Sequence, residues 1–176
     1  MSTLKTNTIQ AATGSTLNIA SGHKITGAAG SIVAPGHVIQ VVQATSAATT
    51  QTTSTSTWVD VTPTATITPT FSSSKILVSH TAGGMITSSG VSGSLQLLRG
   101  STVVVTRGRQ GYTSYTGWSS VPFSMEYLDS PNTTSSITYK FQIRINTTGE
   151  IRHNDTAGSG VTGLASSIVI LQEIAQ

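Results

Sequence analysis

Few side chains in this sequence could do chemistry, and their spacing argues against it. The carboxylates are Asp60, Glu126, Asp129, Glu150, Asp155 and Glu173. None forms a close pair in sequence, although the two acids of a glycosidase can lie far apart along a chain. His23, His37, His80 and His153 are dispersed and there is no cysteine. Neither a clustered imidazole set nor a thiolate metal site is spelled out. His153-Asn154-Asp155 reads as turn hydrogen bonding, and His23 or His37 could gather as metal ligands only around an oligomer axis. Serine is abundant, yet no Gly-x-Ser-x-Gly turn places one as a nucleophile. Gly158 to Gly163 matches G-x-G-x-x-G, but a β-branched strand follows where dinucleotide binding needs a helix. The expectation is no enzyme, no metal and no cofactor.

One stretch has the makings of a contact surface. From Arg107 to Trp118 the chain gathers Arg107, Arg109, Tyr112, Tyr115 and Trp118 among Gly, Ser and Thr. Rigid aromatics supply contact area at low entropic cost, and small polar residues adapt their hydrogen bonds. These five are the candidate receptor-binding residues, with a surface glycan or protein as the ligand. The competing reading is a loop whose Trp118 and one Tyr cover the core.

Composition narrows the class further. Charged residues are only 9% of the 176-residue chain, against about 25% in a typical soluble domain. Disordered chains are usually charge-rich, whereas Ile, Val and Thr abound here and mean hydropathy is +0.08, which favours strands. The net charge of +3 and pI of 9.5 reflect scarce acids more than a basic surface. Without a Lys/Arg-rich run, nucleic acid is not an expected partner. No apolar run approaches the ~18 residues that span a bilayer, and the first residues lack the apolar core of a secretory signal. The Asn-x-Ser/Thr triplets at Asn132, Asn146 and Asn154 therefore read as turns and not as glycan sites.

These side chains must be positioned by short strands. Residues 1–34 carry isolated apolar residues, among them Leu4, Ile9, Leu17, Ile19 and Ile25, punctuated by Gly. Such a segment buries too little apolar area to offset its own ordering and needs partners. From Pro35 to Gln176, strands are expected at His37–Gln43, Trp58–Thr62, Ala65–Thr68, Lys75–His80, Leu95–Leu98, Ser101–Thr106 and Phe123–Leu128. Arg99-Gly100 is a hairpin turn and Asp129-Ser130-Pro131-Asn132 another turn. Ile137, Tyr139, Phe141, Ile143 and Ile145 alternate with polar residues, the clearest strand signal in the chain. The run Ser166–Ile174 is apolar on both faces, with Ile168, Ile170 and Ile174 on one and Val169 and Leu171 on the other. These five are the candidate subunit-interface residues. The fold class is all-β: an extended stem over 1–34, then a sandwich, jelly roll or barrel over 35–176.

The opening Met-Ser-Thr-Leu-Lys-Thr-Asn-Thr-Ile-Gln, then Gly14 to Ala28 and Ala34 to Gln43, resembles marine and cyanobacterial bacteriophage fibre-type structural proteins. Tyr127 to Pro131, Ile137 to Lys140 and Ser167 to Ile174 resemble the distal domain of such proteins. The resemblance implies a homotrimer with a jelly-roll head like those of C1q and tumour necrosis factor, and Ser166–Ile174 near the threefold axis. It implies a location on the virion after synthesis in the host cytoplasm. The first segment, through Leu4, Ile9, Leu17, Ile19 and Ile25, would attach the protein to virion proteins of the tail or capsid. A tail fibre or spike is the first reading, a capsid head fibre or decoration protein the second, and a free carbohydrate-binding lectin the third.

Overall fold

A computed structural model describes residues 14, 19–27, 32–53, 55–87, 90–112, 117–155 and 166–176. The chain divides into two units, residues 1–32 and 33–176. In the first, His23 N–H donates to the Ala20 carbonyl at 3.0 Å, closing a turn through Gly22 at φ 81°. Ile19 and Ile25 are exposed, while Leu4, Ile9 and Leu17 lie outside the described residues.

The described residues of the second unit form no helix and ten strands. They are β1 (Val38–Ser46), β2 (Thr50–Thr52), β3 (Val59–Ile67), β4 (Lys75–Thr87), β5 (Ser92–Arg99), β6 (Thr102–Tyr112), β7 (Trp118–Asp129), β8 (Ile137–Ile145), β9 (Ile151–His153) and β10 (Ser167–Ile174). Two antiparallel sheets result. In the first, β1 pairs β10, β10 pairs β4 and β4 pairs β7. In the second the order is β3-β8-β5-β6. Setting aside the three-residue strands β2 and β9, eight long strands remain. The first of them pairs with the last, the second with the seventh, the third with the sixth and the fourth with the fifth. That nested pairing is the jelly roll. Strands β9 and β2 add a small corner to the first sheet, β9 pairing Gly84–Ile86 of β4 and β2 pairing β9.

Alternation explains the packing. Ile76 and Val78 of β4, Phe123 and Met125 of β7, and Val169 and Leu171 of β10 point inward from the first sheet. They meet Val61, Leu95, Leu97, Tyr139, Phe141 and Ile143 from the second. Each such side chain contributes about 1.5–3 kcal/mol by leaving water. The clear alternation read over 137–145 holds, since Tyr139, Phe141, Ile143 and Ile145 are all buried and the residues between them are half-buried. Gly100 has φ 59° at the turn between β5 and β6, where a Cβ would be strained. The structure departs from the sequence reading at Pro63. There β3 continues as one strand with a register irregularity between Val61 and Ala65, because proline has no N–H to give to the ladder. Residues between the strands expected at His37–Gln43 and Trp58–Thr62 supply the end of β1 and all of β2.

A polar clamp ties the sheets together at one end. Arg99 of β5 donates to both carboxylate oxygens of Asp129 at the end of β7, at 3.0 and 2.8 Å. The Tyr139 hydroxyl of β8 donates to the same carboxylate at 2.6 Å. Burial first, then the hydrogen bond to Asp129 and its charge, raises the Tyr139 pKa and keeps its proton in place. Tyr139→Phe is expected to cost about 2 kcal/mol, the value of a hydrogen bond to a charged group. A lower urea midpoint at unchanged slope would show it.

Candidate assembly interface

The outer faces of the two sheets differ in kind. On the second sheet, Asp60, Gln142, Gln96 and Thr106 form one row across β3, β8, β5 and β6. Gln142 Nε2 donates to Asp60 at 2.5 Å, Gln96 Nε2 donates to Gln142 at 2.5 Å, and Thr106 donates to Gln96 at 3.3 Å. Lys140 adds an ion pair to Asp60 at 3.0 Å. The hydrogen bond from Gln142 first, then Lys140, holds the Asp60 carboxyl below its usual range despite some desolvation. Arg144 covers the Trp58 ring, 4.8 Å from its centroid. This face links most of its polar groups internally, although Arg144 Nε is buried without a partner.

The outer face of the first sheet is more apolar, with Ser79 to Glu126 at 3.4 Å among its side-chain hydrogen bonds. Register places Val41, Gln172, Leu77 and Leu128 in one row, and Gln43, Ile170, Ser79 and Glu126 in the next. Ile168 sits between Thr45 and Thr81, and Ile174 between Val38 and Lys75. Val38, Val41 and Leu128 are 50%, 57% and 46% exposed, respectively. Ile168, Ile170, Ile174 and Leu77 are half-buried. Each of these rows therefore holds at least one apolar residue, and the Val41–Leu128 row is apolar at both edges, with Lys75 and Glu126 the charges in these rows.

The structure divides the five interface candidates. Ile168, Ile170 and Ile174 lie on this outer face, whereas Val169 and Leu171 are fully buried in the chain's own core. A strand apolar on both faces has one face filled by its own sandwich, so those two side chains have nothing left to offer a partner.

The receptor-binding candidates fall on strand ends more than on a loop. Strand β6 runs on to Tyr112 and β7 begins at Trp118. Alternation is masked there by Gly108 and Gly111 and by Arg109, whose φ is 54°. Tyr112 is 62% exposed and Trp118 is 38% exposed; Tyr115 lies outside the described residues. Trp118 is capped by Arg152, 4.2 Å from the ring centroid, and Arg152 in turn pairs with Glu150 and Asp155. Arg107 turns away to the Glu126 carbonyl of β7 at 3.4 Å. The set is not gathered into one site by any contact among the described residues.

Sequence reasoning missed a buried imidazole pair. His80 on β4 and His153 on β9 are 1% and 0% exposed, and their Nε2 atoms are 3.1 Å apart. The ring planes differ by only 17° with centroids 5.2 Å apart, nearly the N–N distance plus the two ring radii. The rings therefore meet head to head, as an N–H···N bond requires, leaving no room for a metal between them. Ser167 Oγ lies 3.2 Å from His80 Nε2, and Phe141 stacks on the His80 ring at 4.3 Å. Burial lowers both pKa values; that of His80, also opposed by the His153 charge, falls to about 3, and that of His153 to about 4. The unfolded chain therefore takes up these protons first as pH falls below about 6.5, and stability declines by about 1.4 kcal/mol per pH unit for each ring. The alternation Ile76, Val78, His80, Ala82 pointed His80 inward all along.

No family model and no curated protein matches this chain. Among solved structures it is similar to the capsid protein of infectious bursal disease virus. Virus-derived T=1 particles match with TM-score 0.41 at 17% identity over 88% of this chain and 41% of that chain. The VP2 subviral particle matches with TM-score 0.40 at 17% identity, covering 78% and 37%, respectively. This chain thus spans less than half the length of those proteins. At such scores the likeness carries no argument about function, and the jelly roll stands on the strand pairing itself.

Proposed function

We propose that this chain is a virion structural protein that assembles as a homotrimer through the outer face of its first sheet. The observation that carries the reading is the contrast between the two outer faces. One closes its polar groups into ladders, and the other lays Val41, Leu77, Leu128, Ile168, Ile170 and Ile174 open to a partner. Charges are too few for an ion-pair interface, so apolar contacts must do the holding. The sequence resemblance to bacteriophage fibre-type proteins supports the trimer, a place on tail or capsid, and attachment through residues 1–34. Host contact through Tyr112 and Trp118, exposed at adjoining strand ends, fits the same reading.

Light scattering coupled to size exclusion tests the assembly. A trimer that persists from low to high salt is expected, because screening does not weaken apolar contacts. A monomer, or dissociation by moderate salt, would overturn it. Labelling the protein on intact particles then separates tail from capsid.

A further inference from the structure

The β2–β9 corner is joined to the sandwich by short ladders. Strand β9 is three residues long, joined to β4 by three register pairs and to β2 by three more. By comparison, β7 pairs with β4 along all twelve of its residues. Besides Ile151, the core-facing plug of this corner is His153, a polar group with an ionisable ring. Phe123 fits against it at 5.9 Å, seated over Gly84, where a Cβ would have no room. Beyond His153, Asn154 adopts a left-handed φ of 58°. Its side-chain amide donates to the Ser46 and Ala48 carbonyls at 3.0 and 3.1 Å. The corner therefore has few ladder pairs, supplemented by the Asn154 backbone amide to the Gly83 carbonyl, Thr49 to the Asn154 carbonyl and Arg152 over Trp118. They surround one titratable plug, the character of a locally opening unit.

We propose that the His80–His153 pair is an acid-sensitive latch whose protonation releases the β2–β9 corner while the remaining strands stay paired. The mechanism lies in proton counting. A head-to-head pair shares one proton between its two Nε2 atoms. A first added proton must go to a ring Nδ1, and both Nδ1 atoms are buried without a partner. A second places hydrogen on both facing nitrogens and breaks the bond between the rings. Among the described residues no carboxylate is bonded to either ring: the neighbours are Phe141 of β8, Phe123 of β7 and the Ser167 hydroxyl of β10, which offset a buried charge only weakly. Arg107 of β6 and Glu126 of β7 line with His80 a cleft of about 380 Å³, and Arg152, beside His153, is paired with Glu150 and Asp155. Strands β9 and β10 flank one edge of β4 and β7 the other. His80 thus belongs both to the pair, through Nε2, and to the lining of a cleft shared with β6 and β7. The depressed pKa values of both rings agree with the same direction.

Amide hydrogen exchange across pH on the intact protein tests the latch, with rates corrected for intrinsic pH dependence. Amides of 151–153 and 50–52 are expected to be less protected than those of 137–145. Their protection should fall by up to about 100-fold per pH unit between pH 6 and 4, tenfold for each ring that charges on opening. His153→Gln keeps a hydrogen-bonding partner for His80 but removes one titration, and should reduce the slope to at most tenfold per unit. Equal protection of β9 and β8 at every pH would mean that only global unfolding exposes the pair. A flat profile in the parent protein, or an unchanged slope in His153→Gln, would likewise overturn the latch.

Discussion

Replacing Ile170 by Asp is expected to leave the sandwich folded and abolish the proposed trimer, whereas Leu171→Ala one residue on should destabilise the fold. The two side chains are neighbours on β10 and point to opposite faces. Ile170 is half-buried on the outer face, in a row with Gln43, Ser79 and Glu126. A carboxylate there stays hydrated in a monomer, so its cost falls on association. Three copies burying that charge against apolar partners, each adding several kcal/mol of desolvation, would outweigh the contacts that remain. Leu171 is fully buried among the core residues of both sheets. Truncating it removes its transfer energy and leaves a cavity, together about 3 kcal/mol. Sedimentation velocity and thermal melts on both variants check the pair. A trimeric Ile170→Asp protein would remove the outer face from the interface, and an unfolded one would show that the side chain serves the monomer.

That opposition marks how far the sequence could be read. Strong alternation was legible wherever one face was polar, as over 137–145, because a period of two then has one physical solution. On β10 both faces are apolar, so the pattern gave the two sets of residues but not which set the chain would bury. The answer depends on β10 lying between β1 and β4, pairings made with residues 87 to 136 positions away. The His80–His153 contact likewise joins residues 73 apart, and local patterning carries no signal of it. The 107–118 stretch misled for a different reason. Glycines and the left-handed Arg109 hid the strand, so an extension of β6 looked like a loop. Composition identified its exposed Tyr112 and Trp118 but could not foresee that Arg152 would cap the tryptophan.

Glu173→Ala is expected to cost about 3 kcal/mol, a large loss for one side chain near the end of the last strand. Glu173 points inward from β10 and is fully buried. Its carboxylate accepts from Gln40 Nε2 at 2.6 Å, from the Thr70 amide and hydroxyl at 2.7 and 3.1 Å, and from the Phe71 amide at 3.3 Å. One side chain thus fastens β1 and the turn between β3 and β4 to β10. Truncation would orphan these donors, though Thr70 and Phe71 are exposed enough to recruit water, which limits the loss. Desolvation alone would raise this carboxyl, but the hydrogen bonds from Gln40 and from the Thr70 and Phe71 amides outweigh it and hold the pKa below its ordinary value. A depressed folded-state pKa means stability that is fully present above the unfolded value, about 4.3. That stability is lost as pH falls through the folded one. The gap between parent and Glu173→Gln should therefore be constant from neutral pH to about 5 and narrow only in stronger acid. The imidazole pair acts earlier, from about pH 6.5 downward, so urea titrations of Glu173→Gln and His153→Gln at several pH values separate the two. A gap that begins to close near pH 6 in Glu173→Gln would show that the carboxylate is coupled to the imidazoles and does not act alone.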